Sequence, residues 1–199
     1  MTTTKSSPPK TGLEGVVAAS SMICYIDGTK GVLAYCGYDI HELAQHATFE
    51  EVCFLLWHRR LPTRGELGDL QSQLAAARLL PDGIIRLMRS LPIDMSTDAM
   101  GGLRTLVSAL SHFDGEAEDN SRESRYRQAV RLTARMGSVV ATYGRLSAGA
   151  NMVEPDPVIG HAANFLLMLN GTRPSAAEAR ALDVALILHA DHELNASTF

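Results

Sequence analysis

Residues 187–198 read ILHADHELNAST, the densest cluster of potentially catalytic side chains in this 199-residue sequence. The overlapping stretch ALDVALIL at 181–188 is apolar on nearly all sides, which predicts a largely buried helix. Polar groups at the end of a buried helix must find hydrogen-bond partners, because leaving them without one is energetically costly. This cluster therefore decides how the last helix is placed, and it is the first candidate for a functional site.

The end of the same cluster predicts the start of another helix. Asn195 and Ser197 are both favourable N-cap residues. His192 would then lie in the break between two helices, beside the amino end of the second. The free backbone donors at such an end favour an uncharged imidazole that can donate a hydrogen bond.

Three segments elsewhere in the chain carry signals for the start of a helix. The segments TFEE at 48–51, TRGE at 63–66 and SAAE at 175–178 fit the capping box, in which a hydroxyl and a glutamate satisfy each other's backbone donors. Together with the apolar periodicity, these signals predict an all-α fold. The predicted helices are 40–46, 49–58, 64–79, 82–90, 97–111, 122–148, 158–170 and 176–190.

The N-terminal region follows a different pattern. ICYI at 23–26 and VLAY at 32–35 flank an Asp-Gly turn signal, which predicts a small β-hairpin. Residues 1–11 are rich in Thr, Ser, Pro and Lys, so we expect a disordered tail. The remainder, 12–199, is predicted to belong to one helical domain.

Composition and charge exclude several classes of function. The formal net charge of −4 argues against a basic surface for nucleic acid. No apolar run approaches the roughly 20 residues of a membrane span, and the N-terminus lacks the apolar core of a secretory signal. We therefore expect a cytoplasmic protein without a nucleic-acid or membrane partner. Cys24, Cys36 and Cys53 form an odd set, typical of free buried thiols.

The segment LHADHELNASTF at 188–199 resembles the signature of the citrate synthase family, in which the second histidine of the run is catalytic. Three further segments resemble the same family in the same order: GLEGVVA at 12–18, YCGYDIHEL at 35–43 and HAANFLLML at 161–169. The similarity extends over residues 11–199. It implies a multi-helical large domain preceded by a small hairpin.

The resemblance also implies a reaction, the condensation of acetyl-CoA with oxaloacetate to citrate and CoA, with no cofactor beyond these substrates. It assigns to His192 a hydrogen bond to the thioester oxygen, which stabilises the enol or enolate. It assigns oxaloacetate binding to His161, which stands at the amino end of a predicted helix where a carboxylate is favoured. The remaining candidates are Asn195 as a substrate-binding residue and His189, Asp191 and Glu193 as supporting groups.

Several of these residues have an equally good structural interpretation. The carboxylates of Asp191 and Glu193 are suited to capping backbone donors. His161 can serve as a helix cap, and His189 can satisfy a buried carbonyl. The other histidines are expected on the surface: His41, His46, His58 and His112.

In the family, helices at the positions of 97–111 and 122–148 build a dimer interface, so the resemblance implies a homodimer. Both segments carry many small residues, which allow close approach of helix axes. Packing within one chain explains such residues equally well.

Two departures from the family stand out. Cys36 occupies a position where family members commonly carry arginine. Family members are also nearly twice as long, and the resemblance assigns to their remainder a second catalytic histidine, an aspartate and substrate-binding arginines. We therefore expect this chain to be the N-terminal part of the large domain and to be inactive when isolated.

Three alternatives remain open. Propionyl-CoA in place of acetyl-CoA would make the protein a 2-methylcitrate synthase. A non-catalytic dimerising or regulatory fragment would keep the fold without the reaction. His189, Asp191 and His192 are also residue types that bind zinc, but no second cluster with ligand spacing accompanies them, so no metal is expected.

Overall fold

A computed structural model describes residues 21–91 and 99–193 of the chain. Within these ranges the fold is all-α with a small antiparallel sheet, as predicted. The strands are β1 (Cys24–Asp27), β2 (Val32–Tyr35) and β3 (Tyr38–Asp39). The helices are α1 (Ile40–His46), α2 (Phe49–His58), α3 (Arg64–Ala77), α4 (Asp82–Ser90), α5 (Ala99–Ala109), α6 (Arg122–Ser147), α7 (His161–Asn170) and α8 (Ala176–Leu188), with a 3₁₀ helix at Leu110–Phe113.

The sheet is the predicted hairpin with one additional strand. Cys24 pairs with Tyr35 and Asp27 pairs with Val32, so the turn signal connects the two strands. Asp27 Oδ1 accepts hydrogen bonds from the backbone N–H groups of Thr29 and Lys30, both at 3.1 Å. The two-residue strand β3 was not predicted, because it is too short to show alternation. The sheet order β1-β2-β3 leaves β1 at an edge.

The capping boxes are all present and start α2, α3 and α8. Predicted and observed helix ends agree to within three residues. The 158–170 helix begins only at His161, the 64–79 helix ends at Ala77, the 122–148 helix ends at Ser147, the 176–190 helix ends at Leu188, and the 97–111 helix passes into the 3₁₀ turn after Ala109. Residues 97 and 98 lie outside the described ranges.

Three apolar clusters hold these elements together. The first joins the hairpin to α1, α2 and α8 and includes Tyr35, Leu55 and Ile187. The second lies between α2, α3 and α6, and the third between α4, α5 and α6. Helix α6 has 26 residues, about 39 Å at the usual rise per residue, and it serves both the second and third clusters.

The small residues of α5 and α6 pack within the chain. A Cβ atom on Gly102 would lie 2.3 Å from the Tyr143 hydroxyl, so only glycine allows this approach of α5 to α6. Gly144 similarly faces Leu169, with Leu169 Cδ1 3.3 Å from the site of a Cβ. Intramolecular packing therefore explains these glycines.

One expectation about burial was wrong. Helix α8 was predicted to be largely buried, but only Asp183 and Ile187 are buried, and Leu188 is 42% exposed. The helix packs on α7, α1 and α2 along one side, and the described residues leave its other side partly uncovered. An apolar sequence shows what a helix is able to bury, not whether a neighbour covers it.

The cysteines and the four remaining histidines behave as predicted. Cys24 and Cys53 are buried, Cys36 is half-buried, and all three thiols are free. Burial raises the pKa of Cys53 and Cys36, so these thiols stay protonated. The surface histidines are all exposed: His41, His46, His58 and His112.

Candidate active site

His192 lies in an irregular segment that follows the end of α8. The helix closes at Leu188, and His189 adds a cap, because its ring Nδ1 lies 2.8 Å from the carbonyl oxygen of Ala185. His189 therefore has the structural role that the sequence allowed, in which its ring bonds a backbone carbonyl. The His192 side chain is exposed on the described surface rather than enclosed in a cleft.

Both neighbours of His192 are attached to the hairpin. The Tyr35 hydroxyl donates to the carbonyl oxygen of Asp191 at 3.0 Å and accepts from the Asp191 backbone N–H at 3.2 Å. On the other side, Glu193 Oε1 accepts the backbone N–H of Ile26 on β1 at 3.1 Å. Asp191 is therefore held through its backbone and Glu193 through its side chain, each by a residue more than a hundred positions away.

The carboxylates of this segment satisfy backbone donors. Asp191 Oδ1 accepts the N–H of Glu193 at 2.8 Å, which supports a left-handed backbone at Glu193 (φ 66°). The Asp191 carboxylate also lies beside the Cys24 thiol, and burial together with this carboxylate raises the pKa of Cys24 to about 12. The carboxylates of Asp191 and Glu193 therefore bind backbone N–H groups, which is the structural role that the sequence allowed for them.

His161 has a very different environment. It is the first residue of α7 and is only 8% exposed, with its ring 5.2 Å from the ring of Phe49. Its backbone N–H donates to Glu50 Oε1 at 2.8 Å, so the anion at this helix end is a carboxylate of the protein itself. The ring Nδ1 is buried and has no hydrogen-bond partner among the described residues.

The electrostatics around His161 keep its ring neutral. Burial, with the nearby Arg78 cation, lowers the pKa of His161 to about 4, although Asp183 opposes the shift. Arg78 is itself 3% exposed, and burial lowers its pKa while Glu50 raises it. Burial is also the main reason that the pKa of Asp183 is raised.

This buried polar cluster connects α2, α3, α7 and α8. Arg78 donates through Nη1 to the carbonyl oxygens of Asp156 and Ile159, at 3.0 and 2.9 Å. Asp183 Oδ1 accepts the backbone N–H of Phe49 at 3.0 Å. Asn164, which is 1% exposed, donates to the Asp156 carbonyl, whereas its Oδ1 has no partner within the described ranges.

The structure does not join the predicted site residues into one cluster. His192 and His161 have no described contact with each other, and each has its own set of partners. Asn195 and the predicted second helix lie outside the described residues. Among those residues, no group of three His, Cys, Asp or Glu side chains is arranged to hold a metal ion.

Sequence reasoning missed the residues that support the two histidines. Tyr35 was predicted only as a strand residue at the start of a family-like motif, and Glu50 only as part of the first turn of a helix. Arg78 and Asp183 gave no signal beyond their place on helices. Asp183, the one charged residue in the apolar stretch 181–188, was the available hint of a buried partner.

Comparisons with known proteins place the chain in a family. Residues 12–199 match the family model described as "Citrate synthase, C-terminal domain". The chain is 51% identical over 193 residues to the citrate synthase of Haloferax volcanii, which covers 96% of this chain and 51% of that protein. No helix within the described ranges is long and apolar enough to cross a membrane.

Solved structures agree with this result. The citrate synthase of Pyrobaculum aerophilum matches with a TM-score of 0.86 and 39% identity, over 94% of this chain and 48% of that one. The citrate synthase of Thermoplasma acidophilum, solved in a ternary complex with carboxymethyl coenzyme A and oxaloacetate, matches with a TM-score of 0.85 and 28% identity, over 92% of this chain and 48% of that one. The chain thus spans about half the length of the relatives it matches.

Proposed function

The chain belongs to the citrate synthase family, and we propose that the protein containing it condenses acetyl-CoA with oxaloacetate to give citrate and CoA. The observation that carries the proposal is the family match over residues 12–199, which includes the run LHADHELNASTF around His192. In the structure His192 is exposed and has no described hydrogen bond, while its neighbours Asp191 and Glu193 are bound to the hairpin. A side chain held in this way is available to a substrate.

In the proposed reaction, His192 acts on the carbonyl oxygen of the thioester. Removing a proton from the weakly acidic methyl group moves negative charge onto that oxygen, and a hydrogen bond from the imidazole stabilises the resulting enol or enolate. The carbon nucleophile then attacks the ketone of oxaloacetate, and hydrolysis of the thioester releases CoA. The carboxylate that removes the proton is expected in the half of the family's sequence that this chain does not span.

Oxaloacetate binding is assigned in this proposal to His161 and Asn195. The Nδ1 of the neutral His161 ring has no partner among the described residues, but it is buried, so a substrate oxygen reaches it only if the surrounding residues move. Because Glu50 already occupies the backbone N–H at the start of α7, oxaloacetate would have to approach the ring itself. His161→Gln is expected to raise the KM for oxaloacetate more than it lowers kcat.

The decisive experiment replaces His192 by alanine in the complete protein that contains this sequence. We expect kcat to fall by about 10²- to 10³-fold, because a hydrogen bond to the developing oxyanion is lost, while oxaloacetate still binds. CoA release from acetyl-CoA in the presence of oxaloacetate is the measurement, with propionyl-CoA assayed in parallel to identify a 2-methylcitrate synthase.

His189→Ala is the matched control for this experiment. It removes another exposed histidine of the same run, whose ring only caps the carbonyl of Ala185. We expect it to retain kcat within a few-fold. Unchanged turnover in His192→Ala would refute the role of His192, and an inactive but folded wild-type protein would favour the non-catalytic alternative.

We also propose that the protein is a homodimer through the α5–α6 side. Leu132 and Met136, one helical turn apart on α6, are 47% and 40% exposed. Exposed apolar side chains grouped on one side are typical of an interface. Leu132→Glu combined with Met136→Glu should convert the dimer to a monomer in sedimentation velocity experiments, whereas Leu79→Glu, a change at another exposed leucine, should not.

A further inference from the structure

The hairpin contacts the segment around His192 at two points. Tyr35, on β2, binds both backbone polar groups of Asp191 through one hydroxyl. Ile26, on β1, donates its backbone N–H to the carboxylate of Glu193. Asp191 and Glu193, which receive these contacts, are the sequence neighbours of His192, and His192 itself takes no part in either contact.

The anchor at Tyr35 is rigid. Tyr35 is fully buried, and its ring belongs to the cluster formed by the hairpin, α1, α2 and α8. Its hydroxyl is also 3.5 Å from the carbonyl oxygen of Leu188, the last residue of α8. One buried phenol therefore links the end of this helix, the Asp191 backbone and the sheet.

The second anchor uses an unpaired sheet edge. Because β1 is an edge strand, the backbone donors on its outer side are not used by the sheet. Glu193 supplies an acceptor to one of these donors. The left-handed backbone of Glu193 and its own N–H bond to Asp191 Oδ1 turn its carboxylate back toward β1.

From this arrangement we propose that Tyr35 and Glu193 are positioning residues that fix the imidazole of His192 for the thioester oxygen. The inference rests on the proposed function. The residues on both sides of His192 are held to the hairpin, and His192 itself is exposed, so its side chain is not engaged by the contacts that hold the segment.

A reaction of this type depends on such positioning. A catalytic hydrogen bond acts only over a narrow range of distance, and a displacement of about 1 Å can cost about 10²-fold in rate. Without the two anchors, residues 190–193 would be a short connection with few other restraints. The hairpin, far from the reaction centre in sequence, would thus set the geometry of catalysis.

The first test is Tyr35→Phe in the complete protein. This variant keeps the buried ring and removes only the hydroxyl. We expect kcat to fall by about 10- to 100-fold, with the KM for oxaloacetate changed by less than about 2-fold, since only the placement of His192 is affected. Tyr25→Phe is the matched control, because Tyr25 lies on the same hairpin and is 57% exposed.

The second test uses Glu193, which offers a conservative rescue. Glu193→Ala removes the acceptor for the Ile26 N–H and should lower kcat, whereas Glu193→Gln keeps a carbonyl acceptor and should restore most of it. If Tyr35→Phe does not fold, this pair decides alone. Equal activity of the Ala and Gln variants with the wild type would overturn a positioning role for Glu193.

A third measurement does not depend on turnover. With 15N-labelled histidine, the imidazole signals of His192 should shift or broaden in Tyr35→Phe, while those of His112, on the distant 3₁₀ turn, stay in place. Unchanged His192 signals together with unchanged kcat would overturn the proposal. Failure of the proposed function would look different: the wild type and all variants would lack condensation activity, while the His192 signals would still respond to Tyr35→Phe.

Discussion

The environments of His161 and His192 differ in almost every respect. His161 is buried at the start of α7, its N–H is bound by Glu50, and its pKa is lowered to about 4. His192 is exposed, and the protein binds its neighbours instead of its ring. In sequence the two residues look alike, since each stands in a family-like motif.

This contrast shows two ways in which a fold uses histidine. Around His161 the protein supplies charges and hydrogen bonds that hold helices together, and the ring is part of that interior. Around His192 the protein binds the neighbouring residues Asp191 and Glu193 and leaves the ring of His192 available. The feature that distinguishes His192 is that its sequence neighbours are bound while its own ring has no described partner.

The strongest test of the interior environment is Glu50→Ala. Glu50 is 4% exposed, binds the N–H of His161 and offsets the positive charge of buried Arg78. Removing the acceptor of the buried His161 N–H together with the negative charge near Arg78 should lower the free energy of unfolding by about 1–3 kcal/mol in urea denaturation. Glu42→Ala, at a side chain that is 72% exposed, should cost less than about 0.5 kcal/mol. A loss below about 1 kcal/mol for Glu50→Ala would contradict this picture of the cluster.

The next test compares how the two histidines contribute to the pH dependence of the free energy of unfolding. The unfolded chain protonates His161 below about pH 6.5, whereas the folded protein resists protonation until about pH 4. The unfolded state therefore binds more protons in this window, and the free energy of unfolding should fall as the pH drops from 6.5 to 4, by up to about 3 kcal/mol. His161→Gln should remove this part of the pH dependence, and His192→Gln should not.

The variants also separate His161 from its neighbour. The pKa of Asp183 is raised, so its contribution favours the folded state as the pH falls and has the opposite sign. Because Asp183 is present in all three proteins, the difference between their pH curves reports mainly on His161. Parallel curves for the wild type and His161→Gln would show that this histidine does not control the pH dependence.

A smaller effect is expected at the anchor of the exposed segment. Tyr35→Phe leaves the Asp191 backbone without its partner and should lower the free energy of unfolding by about 1 kcal/mol. Tyr25→Phe should stay within about 0.5 kcal/mol of the wild type. A loss as large as that of Glu50→Ala would mean that the anchor serves stability first.

The smallest effect belongs to His192 itself. Its ring is exposed and makes no described hydrogen bond, so His192→Gln should change the free energy of unfolding by no more than about 0.5 kcal/mol. Thermal and urea denaturation measure this directly. Marked destabilisation would show that the ring has a structural partner, and the contrast with His161 would disappear.

Local structure was predictable because its causes are local. The capping boxes at Thr48, Thr63 and Ser175 satisfy donors three residues away, and each one marks the observed start of a helix. The hairpin turn at Asp27 is equally self-contained. The ends of α1, α2 and α4 followed from the same short-range signals.

The supporting contacts of both histidines were not predictable, because they join distant parts of the chain. Glu50 and His161 are 111 positions apart, and Tyr35 and Asp191 are 156 apart. Such pairs depend on how helices pack, which no local pattern specifies. The partial exposure of α8 has the same origin, since it depends on its neighbours and not on its own residues.

The length of helix α6 has a consequence for how the protein unfolds. Val130 and Ala134 belong to the cluster shared with α2 and α3, and Val139 belongs to the one shared with α4 and α5. Because a single uninterrupted helix carries both sets of side chains, neither cluster can dissolve without disturbing the other. Amide protons of α3, α4, α5 and α6 should therefore exchange with solvent as one cooperative unit, at a common opening free energy.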